Sequence, residues 1–357
     1  MTRQKQNGNA HCTSEKKQFI PFSGHNVKAL TLFYTHKCNV TCEHCCFACG
    51  PEKEGCLGLD DARRCISGAA EAGLEAVRFS GGECLLFHDD VCQLMKNANQ
   101  HGLETLLATN CFWAGTDETT KRTLEDLTHS GLDALMVSAD SFHQQSIPID
   151  NVLRVLEQCG KIGLSAQVEM RSSGVRDPEG INILKAVRGA TQNIMISRVR
   201  PYGRFQRLRY RLPHGPREIF DVCRNVFVLS VSPSGNVFAC SSEAIGTISV
   251  GDCPGNLLHL GSIRRGSMKE IIDLAENSAV TNTLRVAGPN GLLDLWPDNK
   301  VQGSIPERFC DTCDFCMFLL GSFASAAPDL LMRHATEGER SRIMQSWSER
   351  TRLFPEP

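Results

Sequence analysis

Long apolar runs are missing from this 357-residue chain. No stretch approaches the roughly 18–20 consecutive apolar residues that cross a bilayer as a helix. The opening residues, MTRQKQNGNAHCTSEKKQF, lack the apolar core of an export signal. A cytoplasmic protein with no membrane contact is therefore expected. An excess of charge of either sign is missing too: Lys and Arg total 38, Asp and Glu 40, for a net charge of -2. That balance excludes a chain that binds nucleic acid over its whole surface. Internal repeats and low-complexity segments are absent. With 41% hydrophobic and 22% charged residues, the composition excludes a disordered tail, a coiled coil and a collagen-like chain.

Cysteine is abundant, with 18 in the chain. A chain of this length buries enough core to fold without disulfide staples, and a reducing compartment keeps thiols free. Metal is the remaining explanation for so many. The cysteines are unevenly placed. Cys38, Cys42, Cys45, Cys46, Cys49 and Cys56 crowd one segment, Cys310, Cys313 and Cys316 another, and Cys223 and Cys240 lie between. Cys65, Cys92 and Cys159 fall on helix-like segments and read as small buried hydrophobes.

From residue 29 to about 199, short β-prone runs alternate with helix-length segments. Examples are ALTLFYT (29–35), EAVRFSGGE (75–83), ETLLATN (104–110), DALMVSAD (133–140), LSAQVEM (164–170) and NIMISRV (193–199). Alternation of this kind gives βαβ units and a parallel sheet. Ligands of such sheets bind at the carboxyl ends of the strands. In the first helix, 59–73, Asp60 is the expected N-cap and Gly73 the C-cap. Beyond residue 205 the alternation stops. VFVLSVSPSGNVFACS (226–241) reads as a β-hairpin, 267–277 as a helix and the Pro/Gly/Asn-rich 286–309 as a loop.

The loop after the first strand carries Cys38-Asn39-Val40-Thr41-Cys42-Glu43-His44-Cys45. Thiolates suit zinc or iron–sulfur centres. Structural zinc commonly takes four protein ligands in separated pairs. Three cysteines at this close spacing suit a 4Fe-4S cube with one iron left open. This motif and its place after strand one resemble the radical S-adenosylmethionine (SAM) superfamily. The resemblance implies a partial (β/α)6 TIM-like barrel. Cys38, Cys42 and Cys45 would ligate a 4Fe-4S cluster that binds SAM and cleaves it to a 5′-deoxyadenosyl radical. Ser80-Gly81-Gly82-Glu83 looks like the family's GGE, whose Gly81, Gly82 and Glu83 hold the methionine amino group. His44 stands where the family has an adenine-contacting aromatic, Ser138 at a ribose-contacting position. Glu169 or Arg171 would touch the ribose or the methionine carboxylate. Asp140 and His143 sit at the barrel mouth, where they contact substrate or Asp140 caps a helix. Cys46 and Cys49 are loop packing or hydrogen-atom donors; with Asp140 and His143 they are the catalytic candidates.

Cys223, Gly235 and Cys240, at C-x11-G-x4-C, resemble the start of the SPASM and twitch extensions that follow many such barrels. With Cys310, Cys313 and Cys316 they offer five ligands for the four places of one auxiliary 4Fe-4S cluster. Zinc is the alternative there. The expected domains are a leader (1–28), the barrel (29–210), a twitch-type auxiliary domain (211–325) and a helical tail (326–357). Seven arginines lie between Arg198 and Arg217; they are either recognition groups for carboxylate or phosphate or a solvated linker. Arg198 and Arg200 are those expected to face the cavity.

The expected function is hydrogen abstraction by a radical SAM oxidoreductase that oxidises, cross-links or epimerises a ribosomally made peptide. The alternatives are dehydrogenation or rearrangement of a sugar or nucleotide, and a non-catalytic iron–sulfur or zinc redox sensor. The expected partners are the peptide or small-molecule substrate and an electron donor such as flavodoxin or ferredoxin. With only about 28 residues before strand one, a leader peptide would need a separate binding protein.

Overall fold

The structure is a computed structural model; residues 27–172, 177–200, 202–207, 223–242, 258–294, 305–309 and 311–326 are described. Residues 1–26 of the expected leader, Cys310, the tail beyond 326 and the arginines from 209 to 217 lie outside them.

Six strands alternating with five helices form the first half: β1 Ala29–Thr35, α1 Leu59–Glu71, β2 Ala76–Gly81, α2 His88–Gln100, β3 Glu104–Thr109, α3 Asp117–His129, β4 Ala134–Ser138, α4 Ile149–Ile162, β5 Ser165–Ser172, α5 Pro178–Ala190 and β6 Ile194–Arg198. Every pairing from β1 to β6 is parallel. The sheet has the α/β, parallel-strand form expected of a partial TIM-like barrel. Each residue of β1 is buried, as a strand covered on both faces requires. β6 is an open edge: Met195 and Ile196 are 41% and 48% exposed. The helices turn an apolar face inward, so that Cys65, Cys92 and Cys159 are buried in the core they form.

Several local expectations change. Gly58, not Asp60, is the N-cap of α1 and gives no side-chain cap. Asp60 and Asp61 sit in the first turn, where they favour the helix dipole. Gly73 follows the C-cap Ala72 with a φ of 80°, the left-handed position glycine fills.

The second half continues the same sheet. β7 Val228–Val231 pairs parallel with β1, Ala29 opposite Val228. β8 Asn236–Phe238 and β9 His259–Ser262 add antiparallel. The strand order is β6-β5-β4-β3-β2-β1-β7-β8-β9. The expected hairpin is present. Three helices follow: α6 Met268–Asn277, α7 Ala279–Asp294 and α8 Thr312–Ala326. α6 opens with a capping box between Ser267 and Glu270. α7 overturns part of the loop expected over 286–309. Gly288 leaves the helical region with a φ of 66°, and Pro289 follows inside the helix. The glycine makes a kink, and proline is tolerated in the first turn of the half that follows.

Leu107, in the interior of β3, is fully buried. Leu107→Ala should cost about 2–5 kcal/mol, read as a lower thermal midpoint. An unchanged midpoint would contradict the packing described.

Candidate functional site

The segment between β1 and α1 carries the first cysteine group and holds little regular structure. Its ladder contacts are two isolated bridges, Thr35–Cys56 and Lys37–Gly50. Its shape therefore comes from its neighbours. In front, Gly82 N donates to Thr35 O at 2.7 Å and Glu83 N to Lys37 O at 2.9 Å. A β carbon on Gly81 would sit 2.4 Å from Thr35 O, and one on Gly82 2.1 Å from Lys37 O. Only glycine permits that approach. Behind, Gly203 presses on the carbonyls of Cys45 and Cys46, each 2.3 Å from where its β carbon would be. Arg204 then satisfies three loop carbonyls. Its backbone N donates to Cys45 O at 3.1 Å, Nε to Cys42 O at 2.9 Å and Nη2 to Cys49 O at 2.6 Å.

The carboxyl ends of β1 to β5 surround one cavity, with roughly 900 Å³ of empty space counting its open mouth. Cys38, Cys42, Cys45, Cys46 and Cys49 line it, together with Gly81, Gly82, Glu83, Ser138, Asp140, His143, His44, Glu169 and Arg171. The residues expected at the first site thus share one cavity. Arginine is where the expectation fails. Arg204 lines the cavity, whereas Arg200 pairs with Asp311 and Arg198 is on the exposed edge strand. Thr109 and Asn110 also line the cavity. Asn110 is a strand-end residue expected at this edge of the sheet, whereas Thr109 was not a candidate and only its place at the end of β3 signals it.

Electrostatics inside the cavity follow burial. Desolvation pushes the Cys38 and Cys42 thiols up to about 12, and the Arg204 cation opposes it. Cys49 hydrogen-bonds Cys45, which lowers the Cys45 thiol and raises Cys49. Burial raises Glu83 to about 7, although its carboxylate accepts from Leu85 N, Thr109 Oγ1 and Asn110 N. Burial lowers His44 to about 3. Asp140 accepts from Phe142 N, His143 N, His143 Nδ1 and Arg171 N at 2.9–3.2 Å. Its oxygens are thus engaged by the turn after β4, and it caps no helix. Desolvation opposes the charged form of His143, but the Asp140 carboxylate prevails and raises it. Arg171 Nη2 lies 3.6 Å from Glu169 Oε2.

No three cysteine sulfurs among the described residues lie within 4.8 Å of one another; His44, Asp140 and His143 are the trio that does. Zinc–thiolate bonds of about 2.3 Å would draw sulfurs closer than that. Three thiols spread around an open cavity fit a cube better than a single ion. The donor set is compatible with a 4Fe-4S cluster that leaves one iron open.

A second, smaller pocket is lined by Cys223, Cys240, Cys313 and Cys316. Cys223 precedes β7, Cys240 follows β8, and the other two lie in the first turns of α8. All four are buried. Desolvation is the largest effect at Cys223 and Cys316 and raises both thiols well above the ordinary value, with the neighbouring thiols adding to it.

The radical SAM superfamily profile matches residues 32–179. These residues form a radical SAM domain. Such a domain implies a 4Fe-4S cluster and SAM. Among curated proteins, YydG of Bacillus subtilis (strain 168), named for peptide biosynthesis, is 23% identical over 135 residues, 38% of this chain and 42% of YydG. The GTP 3′,8-cyclase of Aliarcobacter butzleri (strain RM4018) is 24% identical over 178 residues, 45% of this chain and 52% of the cyclase. The chain spans about half the length of these relatives. Among solved structures, Streptococcus suis SuiB bound to precursor peptide SuiA superposes with a TM-score of 0.56 at 14% identity, covering 81% of this chain and 76% of SuiB. That likeness supports the fold around the radical SAM domain.

Gly203 has a φ of 56° and no room for a β carbon. Gly203→Ala should lower the thermal midpoint of the purified protein. Gly160→Ala, in α4 with nothing within 4 Å of its β-carbon position, should raise stability by about 0.5–1 kcal/mol. Equal midpoints for the two variants would refute the close packing behind the cysteine loop.

Proposed function

We propose that this chain is a radical SAM enzyme that reductively cleaves SAM and abstracts a hydrogen atom from a ribosomally made peptide, with an auxiliary 4Fe-4S cluster in the second cysteine pocket. The observation that carries the reading is the gathering of Cys38, Cys42 and Cys45 with Gly81–Glu83, Ser138, Glu169 and Arg171 around one cavity at the strand ends. A cluster with SAM bound supplies one-electron cleavage of the sulfonium to a 5′-deoxyadenosyl radical.

The chain's own residues have the following roles. Cys38, Cys42 and Cys45 hold three irons. Gly81, Gly82 and Glu83 form the wall facing the methionine amino group. Glu169 and Arg171, on β5, and Ser138, on β4, are placed for the ribose and the methionine carboxylate. His44 packs against Phe142 and His143 with ring centroids 4.7 and 4.8 Å away, an aromatic wall suited to adenine. Asp140 accepts from His143 Nδ1 at 2.9 Å and so fixes the imidazole in the cavity wall.

The auxiliary reading rests on four thiols around one pocket. Cys223, Cys240, Cys313 and Cys316 supply the four places, so Cys310 is not required. Together with the residues around them they form the twitch-type extension.

The peptide reading is favoured by YydG, named for peptide biosynthesis, and by SuiB, whose solved structure holds a precursor peptide. An electron donor such as flavodoxin or ferredoxin, and a separate leader-binding protein, belong to this reading. A nucleotide substrate is the second reading, favoured by the similarity to GTP 3′,8-cyclases.

Reconstituted anaerobically with iron and sulfide, the protein should turn SAM and dithionite into 5′-deoxyadenosine. No cleavage by cluster-loaded protein would refute the enzyme reading. Iron should approach about eight per chain for two cubes. The Cys38→Ala/Cys42→Ala/Cys45→Ala variant should keep about half of it, and retention of none would refute the auxiliary site.

A further inference from the structure

Between the two cysteine groups lies the short turn that leaves β6. It is fastened at both ends. Arg200 pairs with Asp311, immediately before α8. Gly203 and Arg204 lock onto the first cysteine loop through the carbonyls of Cys45, Cys42 and Cys49. Tyr202 sits in the middle of this strap and is 6% exposed. Its ring packs with Cys313, and Cys46 and Met317 pack against that pair. This aromatic side chain thus lies in one packed cluster with a cysteine of each group.

The polar end of this side chain is unaccounted for. The Tyr202 hydroxyl is buried and has no hydrogen-bond partner among the described residues. A buried hydroxyl left unpaired is costly, so a tyrosine rather than a phenylalanine at this position asks for an acceptor. Asp311 and Asp314 are in the vicinity, yet neither accepts from it. What the ring does touch is Cys313, a wall of the second pocket. That pocket already aims donors at sulfur: Ser242 N donates to Cys240 Sγ at 3.3 Å, and Asn225 Nδ2 to Cys313 Sγ at 3.9 Å.

We propose that the Tyr202 hydroxyl donates a hydrogen bond to a sulfur of the auxiliary centre, either the Cys313 thiolate or a cluster sulfide beside it, and holds that centre's reduction potential up. The inference rests on the auxiliary-cluster reading above. A donor to sulfur favours the reduced, more negative cluster, and such hydrogen bonds are among the levers that set iron–sulfur potentials. Tyr202 is a positioning and tuning residue here, since it ligates no iron.

The test is a potentiometric titration of the full chain, reconstituted anaerobically and followed by electron paramagnetic resonance. The auxiliary signal is identified as the one that persists in the Cys38→Ala/Cys42→Ala/Cys45→Ala variant and is not altered by SAM. In Tyr202→Phe, with iron still near two cubes per chain, the auxiliary midpoint should shift to more negative potential while the other cluster's midpoint stays put. An unmoved auxiliary midpoint would overturn the proposal and leave the cluster assignment standing. Wild-type protein with iron for one cube, all lost in the triple variant, would overturn both. Should Tyr202→Phe lose its auxiliary iron, a second measurement decides. In a Tyr34→Phe/Tyr210→Phe background Tyr202 is the sole tyrosine of the chain's three. Growth on 3-fluorotyrosine then makes its hydroxyl a stronger donor, and the auxiliary midpoint should shift to more positive potential. No shift would refute the hydrogen bond.

Discussion

The cysteine loop after β1 is the constraint on which the rest depends. A segment with almost no ladder of its own must still pair its buried carbonyls, since each left unpaired costs about 1–3 kcal/mol. Arg204 pairs three of them, at Cys42, Cys45 and Cys49. On the opposite side the backbone of Gly82 and Glu83 takes Thr35 O and Lys37 O. Both contacts work only where a β carbon is missing, at Gly81, Gly82 and Gly203. Glycine in these strand-end turns is therefore structural before it is anything else.

Arg204 links this packing to the chemistry. Metal ligation needs thiolate, and burial disfavours thiolate at Cys38 and Cys42. The Arg204 cation acts the other way on all three cysteines of the motif. One side chain therefore holds the loop in shape and offsets part of the desolvation that the shape imposes. Lysine could supply the charge but not the planar fork that reaches Cys42 and Cys49 together.

Much of the barrel and of the first site was legible in the sequence, because both are written locally. A strand's end is visible as the last residue of an apolar run, and a parallel sheet brings such ends to one side. That logic found Gly81–Glu83, Ser138, Asp140, Glu169 and Arg171. It could not choose among arginines. Arg198, Arg200 and Arg204 look alike in sequence, and only the left-handed turn at Gly203 and the ion pair to Asp311 decide which of them enters the cavity. Asp140 was open between substrate and helix cap because its partners include Arg171 N, 31 residues away. The segment 286–294 looked like a loop since Gly288 and Pro289 are breakers. In the fold they mark a kink between two helical pieces.

The second cysteine pocket shows where local reading ends. The hairpin that brings Cys240 back toward Cys223 is signalled by its own turn residues. That Cys313 and Cys316 reach the same pocket from the start of α8 is not, for nothing in a C-x2-C spacing names its partner. The sheet supplies the missing relation. β7 lies parallel to β1 in continuous register, so the strand leading to Cys38 and the strand following Cys223 are neighbours on one ladder. That ladder, with the Arg200–Asp311 pair and the contacts of Arg204 on the first cysteine loop, ties the surroundings of the two pockets together. A site held by a flexible linker would leave their separation to chance. Here it is fixed by the same hydrogen bonds that build the barrel, and the side chains between the pockets, Tyr202 and Cys46 among them, are packed as core.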